Sequence, residues 1–269
     1  MSASKETASL FHRLHQGPEV LLLANCWDAG SARLVESLGA KAVATSSAGL
    51  AWSNGYPDGD VMPLDRLVAA VGAIARVIRV PLSVDMEGGY SRDIAGVADA
   101  VARVIDAGGV GCNLEDGNGG VETLCAKIEQ AKKGAARHNI EFWVNARTDV
   151  FLRQLAPPDK RVAETIARAK RYRDAGADSL FVPGLADPKE ISAVAGTIQC
   201  PLNVMAWPGL PPAAELKKLG VRRLSAGAGI TEAVWGRAAS LAKVFLSEGR
   251  SDVLAHEAMG YGAVNALFQ

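Results

Sequence analysis

Two carboxylates stand two positions apart where an apolar stretch of the chain ends. Asp85 and Glu87 follow the mostly apolar residues 80–84 and precede the pair Gly88 and Gly89. Side chains at positions i and i+2 of a β-strand point to the same side, so both carboxylates project together if a strand runs through Glu87. Two like charges held close together favour a bound cation or a proton, and a divalent metal is the simplest occupant. The alternative is that one carboxylate caps the next helix and the other is solvated.

The composition is that of an ordinary globular chain with no dominant charge. Among 269 residues, 29 are Lys or Arg and 29 are Asp or Glu, so the formal net charge is zero. This balance argues against nucleic acid or a membrane surface as a partner. No segment predicts a signal peptide or a membrane span. The four cysteines form no C-x-x-C pair, which favours reduced thiols over disulfides or a zinc site. The sequence therefore predicts a soluble, cytoplasmic protein.

Short apolar runs alternate with amphipathic helical stretches along most of the chain. Near-continuous apolar runs are typical of parallel strands that are covered on both faces. The predicted helices include residues 94–106, 122–137, 159–174 and 188–197. The predicted strands are residues 20–24, 42–46, 82–87, 111–115, 142–147, 179–182, 202–205 and 223–226.

A weak internal repeat supports this alternation. Gly39, Gly108, Gly176 and Gly220 each end a predicted helix just before the next strand, a position that suits a left-handed C-cap. Eight βα units without a linker predict one (β/α)8 TIM-type barrel domain over residues 1–269. A doubly wound open sheet is the alternative, although no G-x-G-x-x-G fingerprint follows the first strand. Residues 230–269 hold extra C-terminal helices, which we expect to pack on another subunit of a homo-oligomer, either a dimer or a tetramer.

Polar residues interrupt the apolar pattern at the carboxyl end of six or more predicted strands. Active sites of such barrels form at this end. Glu115 would approach the Asp85 and Glu87 pair from the adjacent strand, unless it forms a salt bridge with Arg147. Arg147 could clamp a carboxylate or a phosphate in bidentate fashion, whereas Asp116 points the other way and is predicted to cap or bridge. The polar strand-end residues are Asn25, Asp28, Thr45, Ser46, Ser47, Asp85, Glu87, Asn113, Glu115, Asp116, Asn145, Arg147, Asp149, Asn203 and Ser225.

Two further segments add candidate groups to the same end. The hydroxyl and backbone N–H groups of Ser46, Ser47 and Ala48 suit an anion or oxyanion, although an ordinary turn would use the same residues. Asp58 lies in the long loop 54–60, which is expected near the same mouth. No histidine falls at a predicted strand end, so neither a histidine base nor a His-rich zinc site is expected.

Six short segments, in this order, resemble the isocitrate lyase/phosphoenolpyruvate mutase superfamily, and together they span residues 21–227. They are residues 26–32 (CWDAGSA), 45–49 (TSSAG), 55–58 (GYPD), 84–90 (VDMEGGY), 113–116 (NLED) and 146–149 (ARTD). The resemblance implies that Asp85 holds Mg²⁺, or Mn²⁺, at the barrel mouth. It also implies that Glu87, Glu115 and Asp58 contribute directly or through water.

The same resemblance implies the type of chemistry. The substrates would be small 2-oxo or 2-hydroxy acids, and the reactions would make or break C–C or P–C bonds through a pyruvate enolate. The backbone at Ser46, Ser47 and Ala48 and the guanidinium of Arg147 would hold the substrate carboxylate, and Asn203 completes the substrate-binding set. Asp58, Arg147 and Glu115 are the expected catalytic residues.

Departures from the superfamily pattern narrow the expected reaction. Residues 117–125 read GNGGVETLC and lack the Lys-Lys-Cys-Gly-His loop of the lyases, with Cys125 falling where a helix should already have begun. The Lys and Asn-Ser loop of the mutases and phosphonopyruvate hydrolases is missing as well, and Glu87 replaces the commoner Asp. The nearest simple chemistry is decarboxylation or cleavage of an oxaloacetate-like acid. The alternatives are a phosphonopyruvate-type P–C mutase or hydrolase and a non-catalytic barrel that binds an oxo-acid.

Overall fold

The computed structural model describes residues 3–117 and 119–269. Residue 118, in the segment 117–125 that departs from the lyase motif, lies outside the described residues. Nine strands pair in parallel. They are β1 (Leu21–Leu23), β2 (Asn25–Cys26), β3 (Val43–Thr45), β4 (Leu82–Asp85), β5 (Gly111–Glu115), β6 (Trp143–Arg147), β7 (Ser179–Val182), β8 (Leu202–Met205) and β9 (Val221–Ser225).

The strand order is that of a closed barrel. The sheet runs β1-β9-β8-β7-β6-β5-β4-β3-β2. Its two terminal strands, β1 and β2, are separated in the chain only by Ala24, so the sheet closes on itself and the first barrel strand consists of both. The predicted (β/α)8 TIM-type fold is confirmed, and the open doubly wound sheet is excluded.

Twelve α-helices accompany the strands in the described part of the chain. They are α1 (Lys5–Gln16), α2 (Ala29–Ser37), α3 (Ser47–Ser53), α4 (Leu64–Val77), α5 (Val97–Ala107), α6 (Gly120–Ala136), α7 (Arg161–Asp174), α8 (Pro188–Ala195), α9 (Ala213–Lys218), α10 (Gly229–Glu248), α11 (Asp252–Ala255) and α12 (Tyr261–Ala266). A 3₁₀-helix, Pro158–Lys160, precedes α7. None of the described helices combines the length and the apolar character that crossing a membrane requires.

The glycines of the repeat adopt the backbone conformation that their positions predicted. Gly39, Gly108, Gly176 and Gly220 have φ values of 93°, 116°, 107° and 92°. These angles lie in a region that side-chain-bearing residues rarely occupy. Each glycine therefore turns the chain from a helix back toward the next strand.

β4 is two residues shorter than predicted, and this changes the geometry of the Asp85 and Glu87 motif. β4 ends at Asp85, whereas the apolar pattern predicted a strand through Glu87. The φ of Glu87 is +45°, so the backbone has already turned into a left-handed conformation at this residue. The rule that i and i+2 share a face holds only within a strand. It therefore does not place Asp85 and Glu87 side by side.

Helix α1 covers the amino-terminal end of the barrel, opposite the mouth. Phe11 and His15 pack against Trp143, the first residue of β6. The His15 ring stacks on the Trp143 ring at a centroid distance of 4.0 Å. Its Nδ1 lies 2.8 Å from the Phe11 carbonyl oxygen. Burial lowers the pKa of His15 to about 3, so the ring is neutral in the folded protein.

We expect acid to destabilise the protein through His15. Its pKa is about 3 in the folded chain against a reference value of 6.5, so the unfolded chain binds the proton more readily between these two pH values. The free energy of unfolding should therefore fall as the pH drops below 6.5, by about 1.4 kcal/mol per pH unit from this residue. Denaturant unfolding at pH 7.5 and pH 5 measures the change. His15→Gln should reduce it by about 2 kcal/mol, and His256→Gln, at an exposed position, should not; equal pH dependence in wild type and His15→Gln would contradict the prediction.

The C-terminal helices leave much apolar surface exposed. In α10 the one buried residue is Thr231. Its side chain packs so closely on α3 that a Cβ on Gly49 would lie 2.7 Å from the Thr231 hydroxyl. Beyond that point Trp235 and Phe245 are each 47% exposed and Leu246 is 83% exposed. The arm formed by residues 230–269 therefore has almost no core of its own.

Candidate active site

A cavity of about 160 Å³ opens at the carboxyl ends of the strands. This is the mouth at which barrel enzymes carry their active sites. The cavity is small beside the roughly 300–1,000 Å³ of pockets for drug-sized ligands, so it suits a molecule of a few heavy atoms. Its lining combines six of the predicted site residues with others from the same end: Asn25, Ser46, Ser47, Ala48, Asp58, Asp85, Asn113, Arg147, Leu152, Phe181, Pro183, Met205, Ser225, Gly227 and Ala228.

Asp85 is the buried acid of this cavity. Its backbone N–H donates to the Thr45 hydroxyl at 2.8 Å, and its Oδ1 accepts the Glu87 backbone N–H at 3.2 Å. Burial raises the pKa of Asp85, and the nearby Arg147 guanidinium opposes that shift. In the described residues Asp85 has no ion-pair partner. Burying a carboxylate without a paired cation is costly. A bound metal cation would remove this cost, so Asp85 suits a metal site.

Glu87 is held away from the cavity by three donors. Its carboxylate accepts the backbone N–H of Gly59 at 3.0 Å, the backbone N–H of Asp60, and the Tyr90 hydroxyl at 2.8 Å. Burial raises the pKa of Glu87. Glu87 does not line the cavity, so direct binding of a metal by this carboxylate would require these hydrogen bonds to break. Its predicted role as a metal ligand stays a prediction.

Arg147, the last residue of β6, lies in a row of alternating charges at the mouth. Its Nη1 contacts Glu115 Oε2 at 2.8 Å and its Nε contacts Asp149 Oδ1 at 2.7 Å. Asp149 also pairs with Arg153. Burial raises the pKa of Glu115 to about 8, and Arg147 counteracts this rise. The salt bridge considered as the alternative for Glu115 is present, and its carboxylate is not part of the cavity lining.

The segment after β3 supplies hydrogen-bond donors to the cavity. Ser46 caps α3, because its hydroxyl accepts the Gly49 N–H at 3.3 Å. The first amide groups of a helix have no partner within the helix. At α3 these belong to Ser47 and Ala48, and both residues line the cavity. The anion-binding group predicted here is therefore next to Asp85 and Arg147.

Asn203 lies below the cavity in a buried polar network. Its Oδ1 accepts from the Asn145 amide at 2.9 Å, and its amide donates to the Ser225 hydroxyl at 3.2 Å. Arg223, also within the barrel, donates to Asn113 Oδ1 at 3.3 Å, and burial lowers its pKa to about 9. Asn203 is absent from the cavity lining, so its direct contact with a substrate stays a prediction.

The residues present fit Mg²⁺ held mainly by water and substrate. Across the described residues, no three His, Cys, Asp or Glu side chains converge on a common metal position. Mg²⁺ commonly takes one or two protein carboxylates and keeps several waters. Asp85 can supply the direct carboxylate, and Asp58 faces the same cavity. This donor set does not form the closed protein cage of a structural zinc or calcium site.

Sequence reasoning missed the apolar part of the lining. Leu152, Phe181, Pro183 and Met205 face the same cavity as Asp85. They were overlooked because only polar strand-end residues were considered. The available sequence signal was their place in the chain, since Phe181 and Met205 lie near the carboxyl ends of the predicted strands 179–182 and 202–205.

Other predicted features lie elsewhere. Cys125 is within α6, and its thiol is 3.6 Å from the Arg171 carbonyl oxygen. Among the described residues, no histidine lines the cavity. Asp116 bridges β5, β6 and α7 through Thr148, Asp149, Arg168 and Tyr172, which agrees with its predicted role.

Comparisons with known proteins agree with this architecture. Residues 11–246 match the family model described as phosphoenolpyruvate phosphomutase. The chain is 40% identical over 220 residues to the uncharacterized protein Rv1998c of Mycobacterium tuberculosis, covering 81% of each chain. It is 30% identical over 224 residues to oxaloacetate decarboxylase of Paraburkholderia xenovorans, covering 78% of this chain and 72% of the relative. A crystal structure from Burkholderia cenocepacia, described as a candidate phosphonomutase, superimposes with a TM-score of 0.84 at 39% identity, covering 88% of this chain and 99% of the other.

Proposed function

The chain belongs to the phosphoenolpyruvate phosphomutase family, and from this premise we propose that it is a Mg²⁺-dependent carbon–carbon lyase. Its substrate would be a small 2-oxo acid that is cleaved or decarboxylated through a pyruvate enolate, or a 2-hydroxy acid that is cleaved between C2 and C3 with release of a 2-oxo acid. One observation carries the proposal. The buried Asp85 carboxylate, which has no ion-pair partner among the described residues, shares one small cavity with the amide groups of Ser47 and Ala48 and with Arg147.

The residues divide the work as follows. Asp85 would hold Mg²⁺ directly, while Asp58 and Glu115 would act on it through water. The metal would supply stabilisation of the negative charge that develops on the enolate oxygen. Ser47 and Ala48 would bind the substrate carboxylate with backbone N–H groups, the Ser46 hydroxyl would donate to it, and Arg147 would orient it. Asp58, at the cavity edge, would accept or return a proton. The free thiols of the four cysteines support a cytoplasmic location, where thiols stay reduced.

Release of pyruvate is the direct test. Purified protein would be supplied with oxaloacetate, 2-methylisocitrate and phosphonopyruvate, and pyruvate would be followed with a coupled dehydrogenase. We expect turnover of at least one carbon–carbon substrate with Mg²⁺ and a loss of roughly 100-fold or more after EDTA, restored by Mg²⁺ or Mn²⁺. Full turnover after chelation would exclude the proposed metal dependence.

The family model favours one other reaction class. Phosphoenolpyruvate phosphomutases interconvert a P–O and a P–C bond, so the phosphonopyruvate arm of the experiment would be assayed for free phosphate and for rearranged phosphate ester as well. Release of phosphate without carbon–carbon cleavage would replace the proposed lyase by a P–C enzyme. Tight binding of oxalate with no product from any substrate would favour the non-catalytic barrel.

We also propose that the C-terminal arm, residues 230–269, packs on a second copy of the chain. On the outer face of β1, Leu22 is 53% exposed, although barrel strands are normally covered by helices. It lines an apolar groove of about 430 Å³ with Leu21, Val35 and Leu38. One chain therefore carries both an uncovered strand and an arm with unburied apolar side chains. Exposed apolar patches of this kind are typical of subunit interfaces.

Introducing a lysine in the groove or in the C-terminal arm should dissociate the oligomer. We expect wild type to sediment as a dimer or a tetramer and Leu22→Lys or Phe245→Lys to shift to a smaller species, because a buried lysine without a partner is unfavourable. Leu155→Lys, an exposed leucine outside the groove and the arm, is the matched control. Sedimentation velocity measures all four proteins. A monomeric wild type would refute the proposal.

A further inference from the structure

The segments around the mouth contain few cations. Between each strand and the next α- or 3₁₀-helix, the sequence has only Arg92 and Arg153. Arg92 lines a different cavity together with Lys127, and Arg153 pairs with Asp149. Among the described residues, Arg147 is therefore the one cationic side chain that lines the candidate active site.

The charged lining suits a substrate with one carboxylate. Asp58 and Asp85 contribute two negative charges and Arg147 one positive charge, which leaves a net charge of −1. A divalent cation brings the cavity to +1, and one substrate carboxylate then neutralises it. Arg147 is already shared with Glu115 and Asp149. The Arg223 guanidinium is buried within the barrel and outside the cavity lining. A second substrate carboxylate would therefore find no unpaired cation among the described residues of the lining.

The remaining wall of the cavity is apolar. Leu152, Phe181, Pro183 and Met205 contribute their side chains, and the Phe181 ring centroid is 6.0 Å from Arg147 Cζ. Gly227, with φ +63°, makes room for Met205, since a Cβ there would lie 2.7 Å from the thioether sulfur. A carboxylate placed against this wall would lose its hydration without gaining a hydrogen bond. An alkyl group would be buried favourably.

We propose that the substrate is a 4-hydroxy-2-oxo acid with a single carboxylate, whose uncharged alkyl group on C4 contacts Leu152, Phe181 and Met205. This inference rests on the proposed lyase function and names its substrate class. Cleavage that leaves a pyruvate enolate must release a neutral electrophile. That product is either CO₂, which requires a second carboxylate, or a carbonyl compound, which requires a hydroxyl on C4. The charge of the cavity selects the second.

The reaction balances without a co-reactant. The C3–C4 bond breaks, and its electron pair stays on C3 to form the enolate of pyruvate. The C4 hydroxyl loses its proton to Asp58 as C4 becomes the aldehyde carbon. The enolate then takes a proton at C3. Pyruvate and an aldehyde are the products, with no net oxidation or reduction.

A matched pair of substrates tests the proposal. 4-Hydroxy-2-oxopentanoate and 4-hydroxy-2-oxopentanedioate share the reacting carbons and differ in a methyl group against a carboxylate at C5. We expect kcat/KM for pyruvate release to be about 100-fold higher for the methyl compound, because an unpaired buried charge costs about that factor. Met205→Lys, which adds a cation to the apolar wall, should shift this ratio at least tenfold toward the diacid. Trp207→Lys, on the same strand-end segment but outside the lining, should not.

The outcomes separate this inference from the function on which it rests. Equal or better use of the diacid by wild type, or an unchanged ratio in Met205→Lys, would overturn the inference. Turnover of oxaloacetate without turnover of the monoacid would overturn it while the proposed lyase function stands. No pyruvate from any of the three compounds with Mg²⁺ present would overturn both.

An independent observation concerns two adjacent loops, residues 54–63 and 86–96, which hold each other in place. The Glu87 carboxylate accepts the backbone N–H groups of Gly59 and Asp60. In return, the Asp60 carboxylate accepts the Gly88 N–H at 3.0 and 3.1 Å. Asp60, Glu87 and Tyr90 have φ values of 59°, 45° and 52°. Non-glycine residues rarely adopt such angles unless the surroundings impose them.

We infer that the hydrogen bonds of the Glu87 and Asp60 carboxylates, each to the backbone of the other loop, form a latch. In this latch Glu87 is a positioning residue. Asp58 stands one residue before Gly59, so the hydrogen bonds to Gly59 and Asp60 hold Asp58 at the edge of the cavity. The longer side chain of Glu87, compared with the commoner Asp, is used to reach the loop backbone.

Two alanine variants distinguish the latch from metal ligation. Glu87→Ala and Asp60→Ala should each lower kcat by roughly tenfold or more through misplacement of Asp58. Each should also increase hydrogen exchange in residues 55–60 and leave Mg²⁺ affinity, measured by calorimetry, within about threefold. Asp93→Ala, which removes a cap within the loop 86–96 alone, is the control. A tenfold loss of Mg²⁺ affinity in Glu87→Ala alone, or unchanged exchange in both variants, would overturn the latch.

Discussion

Asp85→Asn is expected to lower pyruvate release by roughly 1,000-fold while the protein stays folded. Asn keeps the size of the side chain, and the Asp85 backbone can still donate to Thr45. The substitution removes the buried negative charge that the proposed Mg²⁺ site requires. Because that carboxylate is buried without an ion-pair partner among the described residues, its removal should not lower the free energy of unfolding in metal-free buffer.

The same variant should separate metal binding from folding. Wild type should gain thermal stability on addition of Mg²⁺, since a ligand that binds only the folded state stabilises it. Asp85→Asn should gain none. The melting temperature with and without Mg²⁺, calorimetric Mg²⁺ titration and the pyruvate assay measure the three effects. Asp99→Asn removes an exposed carboxylate on α5 and serves as the control. A rate within tenfold of wild type would remove Asp85 from the centre of the mechanism.

The second large effect is on stability. Asp116→Ala should lower the free energy of unfolding by about 3–5 kcal/mol, the usual cost of breaking a buried charge pair. The Asp116 carboxylate accepts the Tyr172 and Thr148 hydroxyls at 2.7 Å each and the Asp149 N–H at 2.9 Å. It also pairs with Arg168 at 2.8 Å. Alanine would leave these buried donors without their acceptor.

A surface ion pair on the same helix supplies the contrast. Arg171, also on α7, pairs with Glu122 at 2.7 Å, and both side chains are largely exposed. Glu122→Ala should cost at most about 1 kcal/mol. Urea denaturation of both variants measures the difference. Similar losses for Asp116→Ala and Glu122→Ala would show that the buried network contributes little beyond a surface pair.

Asp116 also connects stability to the site. It holds the backbone of Asp149, and Asp149 contacts Arg147. Asp116→Ala is therefore expected to displace Arg147 as well as to destabilise the barrel. A rise in KM for the substrate in the folded fraction would follow from that displacement.

Much of the fold could be read from local patterns. Apolar runs identified every barrel strand because parallel strands are buried on both faces, and β5, β7 and β8 have the predicted boundaries. The glycines at 39, 108, 176 and 220 marked the turns because few other residues adopt their φ values. Since all parallel strands of a barrel end at one rim, the polar strand ends predicted where a site would form.

The positions of individual side chains at the rim could not be read in this way. Glu87 was assigned to the face of Asp85 by strand alternation, yet the strand ends one residue after Val84 and the chain turns. The backbone stays hydrogen-bonded to β5 past Asp85, since the Met86 N–H donates to the Asn113 carbonyl and the Glu115 N–H to that of Glu87. The left-handed turn at Glu87 accompanies the hydrogen bonds of its carboxylate to the loop 54–63. These are contacts between residues far apart in sequence.

The chain by itself determined the barrel and the mouth at which the polar strand ends gather, Asp85 among them, because hydrophobic periodicity and strand direction are local properties that all βα units share. Only the tertiary structure decided that Glu87 binds the loop of Asp58, that Glu115 pairs with Arg147, and that Phe181 and Met205 form an apolar wall. These outcomes depend on loop conformation and on which strands are neighbours. Asp85 and Glu87, two positions apart in the sequence, therefore have different places: Asp85 is a buried acid in the cavity, and Glu87 holds a loop.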